Sequence, residues 1–184
     1  MTMRAMLQAL ASFLDGTVRR IGAAVAVVLL PVLIAVTVFD VVGRQYGNVG
    51  SSRLQELEWY LFFGLVLLTF GSTYVSDGHV RIDVLRARLT PRAQAWIEAF
   101  GCALLLLPAC AMIVVYGIDS AVLSFEQGER SRAALGLPYR WLVKALVPAG
   151  MGLLLLAGIA ALLRAALALS RPSGDDSSSE PEGR

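Results

Sequence analysis

Residues 21–42 read IGAAVAVVLLPVLIAVTVFDVV, with one carboxylate, Asp40, near the end and no other charge. About 20 predominantly apolar residues in a row are what a helix needs to cross the hydrocarbon core of a bilayer. Three further runs reach that length, at 57–75, 96–118 and 141–163. In 184 residues 57% are hydrophobic and 16% charged, and the mean hydropathy is +0.66, too apolar for an ordinary water-soluble domain. The expected fold class is therefore an all-α integral membrane protein. Residues 1–170 would form a four-helix transmembrane domain, and the polar stretch RPSGDDSSSEPEGR at 171–184 a disordered tail.

The links between the runs carry residues that hydrocarbon would not tolerate: GNVGSS at 47–52, SDGH at 76–79 and EQGERSR at 126–132. Thr90 followed by Pro91 predicts an N-cap with proline at the first helical position, so the third helix starts ahead of the bilayer and enters it near Trp96. Before it, Val80, Ile82, Val84, Leu85 and Leu89 are apolar while Arg81, Asp83, Arg86 and Arg88 are polar. That pattern suits a short interfacial segment between the second and third spans.

Counting Lys and Arg on each side of the spans sets the orientation. Arg4, Arg19, Arg20, Arg81, Arg86, Arg88, Arg92, Arg164, Arg171 and Arg184 share one side; Arg44, Arg53, Arg130, Arg132, Arg140 and Lys144 share the other. Both termini are expected in the cytoplasm. Tyr46, Trp59, Tyr60, Tyr74, Trp96, Tyr116, Tyr139 and Trp141 all fall near an end of a run, where an amphipathic ring prefers the interface. The net charge of +2 is small and scattered, which argues against a nucleic-acid partner. Cys102 and Cys110 stand eight residues apart in one run, about 12 Å along a helix and too far for a disulfide. A cleaved signal peptide is not expected, because the first run is long enough to span and no small-residue cleavage site follows it.

Ionisable groups at mid-depth would mark an enzyme or ion carrier working inside the membrane, and the middles of these runs are clean. No catalytic, metal or cofactor site is expected, and one histidine outside the spans cannot make a bis-histidine haem site. The charges sit at the edges. Asp40 and Arg44 are four residues apart and can pair on one helix face or meet another subunit. Glu56 and Glu58 open the second span, where the helix dipole favours carboxylates; Glu56 could also pair with Arg44 or Arg53. Glu98 lies within snorkelling reach of the surface. Lys144, one turn into the fourth span, can reach its interface or meet Glu126 or Glu129. His79 either caps the second helix or orients the link through a hydrogen bond. Small-residue pairs recur (Gly22 with Ala26, Ala157 with Ala161, and Gly150 with Gly152), and Pro31, Pro108 and Pro148 could bend their helices.

The order of these features resembles a known family, the small, Q-type membrane subunit of tripartite ATP-independent periplasmic (TRAP) transporters. The likeness rests on the arginine after the first span (VVGRQY, Arg44), the acid opening the second (LQELEWY, Glu56), Gly71 late in the second, and GHVRID, which supplies His79, Val80 and Asp83. The later GERSRAALGLPYRWLVKALVPAG is similar to one branch of that family, through Glu129, Ser131, Pro138, Lys144 and Pro148. The family's tryptophan and paired acids at the second span are replaced here by Leu54 and a single acid, so Glu56 is the better match than Glu58.

The resemblance implies a subunit of the bacterial inner membrane that scaffolds a large membrane subunit. In the family, that large subunit uses an ion gradient, usually sodium, to move an organic acid captured by a periplasmic binding protein. Arg44, Glu56, Gly71, His79 and Asp83 would serve structure or the subunit interface, and Arg53, Glu126, Glu129, Arg130 and Arg132 would be candidates for touching the periplasmic protein. Two rivals stand beside this reading: a homo-oligomeric proton-coupled exporter, and a membrane anchor of another complex.

Overall fold

The computed structural model describes residues 3–47, 52–76, 90–131 and 137–170. His79, Asp83, Val80, the interfacial segment, Arg132 and the tail lie outside the described residues. Among the described residues there is no strand. The elements are α1 (Met3–Gly47), α2 (Ser52–Val75), α3 (Pro91–Phe100), a π-helical turn (Gly101–Leu106), α4 (Leu107–Glu126) and α5 (Arg140–Leu169). With α3, the π turn and α4 taken as one continuous rod, four helices are long and apolar enough to cross a membrane.

Local chemistry explains how the third rod begins and why it changes pitch. Thr90 is extended, with φ −64° and ψ 150°, and its hydroxyl accepts from the Ala93 N–H at 3.3 Å, so the expected N-cap forms and satisfies one orphan donor. Further on, Pro108 lacks an N–H, and its ring would collide with the carbonyl of Leu104 in a regular helix. The helix widens just before it: the Leu107 N–H bonds the carbonyl of Cys102, five residues back. The distortion expected at Pro108 thus takes the form of a π turn. Pro31 and Pro148 sit inside unbroken α1 and α5.

The centre of the bundle is α5, which packs against α1, α2, α3 and α4. Its buried residues are nearly all small: Gly150, Ala157, Gly158, Ala160, Ala161 and Ala165, with Pro148 and Leu154. Lipid is as apolar as leucine, so helices in a bilayer associate by close packing, and small side chains let backbones approach. At Gly150 a Cβ would lie 2.6 Å from the Leu67 carbonyl oxygen, and at Gly71 one would lie 2.8 Å from that of Leu153. These two glycines let α2 and α5 touch backbone to backbone. Gly152, two residues along, has nothing within 4 Å of its Cβ position and plays no such part.

The first helix is the opposite case. Only 6% of its most apolar window is buried, against 39% for α5, and Val27, Ile34, Val38 and Phe39 face outward. An outward apolar face is what a bilayer solvates well. Cys102 and Cys110 are buried and unbonded to each other. Cys102 Sγ lies 3.1 Å from the Tyr74 hydroxyl, which ties the end of α2 to the π turn.

Candidate functional site

Among the described residues, a cluster of polar side chains with several partners each gathers at the end of the bundle away from the termini, here called the distal end. There α4 stops, the chain turns and α5 begins. Gly128 adopts φ +58°, a left-handed conformation that favours glycine. The turn carries the Glu129 N–H onto the Ser124 carbonyl at 3.0 Å and brings the Glu129 carboxylate under the first turn of α5. Its Oε2 accepts from Ser124 Oγ at 2.7 Å and from Lys144 Nζ. Its Oε1 lies 3.3 Å from Arg140 Nε. Ser124, 1% exposed, is thereby satisfied inside the bundle.

The Lys144 ammonium and the Ser124 hydroxyl hold the Glu129 carboxyl below its ordinary value of 4.5; partial burial opposes them, and Arg140 adds to the lowering. Lys144 therefore meets Glu129, one of the two acids expected for it. Phe125 and Trp141, neighbours in sequence of Ser124 and Arg140, make an edge-to-face contact with ring centroids 5.4 Å apart.

A second carboxylate fastens the same link to α2. Glu56 Oε2 accepts from the Leu137 N–H at 2.6 Å, and Oε1 accepts from the Tyr60 hydroxyl at 2.9 Å. The Ser131 side chain also hydrogen-bonds Glu56, and the Arg140 guanidinium lies near enough to interact with it. Ser131 and Leu137 are themselves joined, N–H to carbonyl, at 3.3 Å. One link thus joins three of the four spans: Glu129 holds the end of α4 to α5, Glu56 holds α2 to the link, and Arg140 stands between the two acids.

Other expected positions fall as follows. Asp40 and Arg44 pair within α1, with Asp40 1% exposed and Arg44 48% exposed. Gly71 belongs to the α2–α5 contact. Arg53, Glu126 and Arg130 are exposed, whereas Glu129 is drawn into the clamp. Glu58 places Oε1 inside the protein without a hydrogen-bond partner among the described residues. Sequence reasoning missed Tyr60, Ser124 and Arg140. The signal for Tyr60 was its spacing of four from Glu56. Ser124 stands only five residues before Glu129, but the turn at Gly128 that joins them is not a helical spacing, and Arg140 meets acids of other elements. No group of three or more His, Cys, Asp or Glu able to hold a metal occurs among the described residues.

Helices with clean middles, joined at one end by carboxylate clamps, define a multi-pass membrane subunit whose polar groups hold helices together. A family model for the DctQ component of tripartite ATP-independent periplasmic transporters matches residues 33–168, most of the chain, and the protein belongs to that family. It is a small permease subunit of a TRAP transporter. Neither the comparison with curated proteins nor that with solved structures yields a match.

Proposed function

We propose that this chain is the non-catalytic scaffold of its transporter. It packs against a large membrane subunit, and that subunit uses an ion gradient, sodium in this reading, to import an organic acid delivered by a periplasmic binding protein. It resides in the bacterial inner membrane with both termini cytoplasmic, so the distal end faces the periplasm. It needs no cofactor. The observation that supports this most directly is the absence of any Asp, Glu, Lys, Arg or His from residues 21–39, 59–75, 99–118 and 145–163. A carrier that moves ions or protons through its own spans pays for ionisable groups at that depth; a scaffold has no use for them.

The exposed apolar face of α1 offers lateral contact area to a partner in the membrane. The exposed Arg53, Glu126 and Arg130 present mixed charge at the distal end, which suits reversible docking of a periplasmic protein. Solubilisation from the native membrane in mild detergent, followed by mass spectrometry of what co-purifies, tests the proposal. A large polytopic subunit in near-equal amount is the expected result. Recovery as a stable homo-oligomer that transports alone in liposomes would replace the scaffold with an exporter, and a redox or signalling partner would make it an anchor.

A further inference from the structure

The terminal end of the bundle, where α1 begins and α5 finishes, carries a groove that the scaffold reading leaves unused. Its volume is about 260 Å³, and Arg4, Gln8, Arg164, Leu167 and Ala168 line it. That is several times the roughly 30 Å³ occupied by one water molecule in the liquid. Arginines from two different helices thus line one space whose remaining wall is largely aliphatic. Each arginine is anchored: Arg4 donates to the Ser170 carbonyl and Arg164 to Asp15 Oδ2. A guanidinium has five N–H donors in a planar fork, so both anchored side chains keep donors for a further acceptor. Asp15 offsets one of the two charges, which leaves the groove a net cation.

The path of α1 locates the groove relative to the bilayer. At 1.5 Å per residue the 45 residues of α1 run about 67 Å, and the 30 residues of α5 about 45 Å. The two helices nevertheless meet at the terminal end, where Arg4 reaches Ser170 and Asp15 reaches Arg164. Between these contacts α1 advances 11 residues while α5 advances 6, so the start of α1 runs back along the end of α5 in the opposite direction. Ala11 and Val18, 3% and 1% exposed, face the bundle on the same side of α1 as Arg4 and Asp15. On another face Met3, Met6, Leu10 and Phe13 repeat at spacings of three and four and are all exposed, Phe13 at 69%. An amphipathic helix with such a stripe suits the boundary between headgroups and acyl chains. Arg4 and Gln8 of the groove belong to this same segment.

We infer that the groove formed by Arg4, Gln8 and Arg164 binds the phosphate headgroup of an anionic phospholipid from the adjacent leaflet, with the acyl chains running beside Leu167 and Ala168. The phosphate accepts N–H bonds from both guanidinium groups and from the Gln8 amide. The headgroup thereby clamps the start of α1 to the end of α5. This inference requires only that the chain spans a bilayer, and it stands whether or not the scaffold proposal does.

Native mass spectrometry of the full chain, released from detergent with phosphatidylglycerol or phosphatidylcholine titrated in, reads the site directly. The expected result is one phosphatidylglycerol retained above the diffuse background, with its apparent affinity lowered about twenty-five-fold in Arg4→Gln/Arg164→Gln, from roughly a factor of five for each basic group near an anionic lipid. Because loss of Arg164 leaves Asp15 unpaired, Arg4→Gln is measured alone as well, with a reduction of about fivefold expected. The charge-matched Arg19→Gln/Arg20→Gln changes the exposed arginines of the same helix and should move the affinity less than about twofold. Equal losses in the two double variants would show diffuse attraction and overturn the site. Displacement of the lipid by millimolar inorganic phosphate would show a small-anion pocket and overturn the lipid assignment. A steep gain in lipid binding after removal of residues 172–184 would assign the groove to the chain's own acidic tail, which also overturns it.

Discussion

The first and last helices of this protein have similar composition and opposite burial. Both are long, apolar and free of mid-depth charge. Yet α5 turns glycine and alanine toward every other helix, while α1 turns valine, isoleucine and phenylalanine outward. In water the outward helix would be an aggregation hazard. In a bilayer, large apolar side chains are equally at ease against lipid or protein, and what draws helices together is the closeness that small residues permit. Residue size therefore separates the core helix from the exposed one, and hydropathy does not.

The sharpest way to break this contrast is to enlarge a contact glycine. Gly150→Leu would drive a side chain into the Leu67 carbonyl and separate α2 from α5, with a destabilisation of about 3 kcal/mol or more. Gly152→Leu, with open space around it, should change stability by less than about 0.5 kcal/mol. Thermal unfolding of the detergent-solubilised chain checks the pair, and similar midpoints for both variants would refute the packing argument.

A smaller effect is expected at the distal clamps. Glu56→Ala strands the Leu137 N–H and the Tyr60 hydroxyl, at a cost of about 1–3 kcal/mol. Glu58, with an oxygen lacking a partner among the described residues, should matter less when replaced by glutamine. Equal losses at Glu56 and Glu58 in the same unfolding assay would move the anchoring role away from Glu56.

The clamp at Glu129 should also respond to acid. Its carboxyl is held below the ordinary 4.5, so its contribution to holding the link is fully present above that value and is lost as pH falls through the lowered one. Trp141, packed on Phe125 beside the clamp, is the natural reporter. In a background with Trp59 and Trp96 replaced by Phe, its fluorescence should stay constant from neutral pH to about pH 5 and change only below. Glu129→Gln should remove that acid step. A transition near neutral pH would contradict the assignment.

The smallest change in the isolated chain is expected on α1. Val27→Ala, at a position 73% exposed, should alter the stability of the chain alone by less than about 0.5 kcal/mol. If the exposed face of α1 receives the large subunit, the same variant should lower the amount of that subunit recovered on co-purification. Unchanged recovery across Val27, Ile34 and Phe39 variants would place the lateral contact on another helix.

His79 and Asp83, prominent in the sequence, fall outside the described residues, so the clearest motif and the clearest geometry lie at different places in the chain. The Gly-Glu-x-Ser element at 128–131 was legible as a motif, but its physical purpose was not. Only the folded chain shows that Gly128 turns the backbone, Glu129 holds α5 and Ser131 holds Glu56. Arg140 counted in the sequence as a topology signal, and in the structure it lies between two carboxylates.

The amino-acid sequence by itself determined that this protein spans a membrane with four helices, where the third begins, that charge is kept out of the middles of the apolar spans and which family it resembles. These follow from local quantities: hydropathy over about 20 residues, capping chemistry within one turn and short motifs. The tertiary structure alone decided which small residues are contacts, since Gly150 and Gly152 are indistinguishable until α2 is laid against one of them. It also decided which acid meets Lys144, and that Arg4 and Arg164 share one groove. Those pairings join residues far apart in the chain, and no local pattern encodes a distance that exists only after the helices pack.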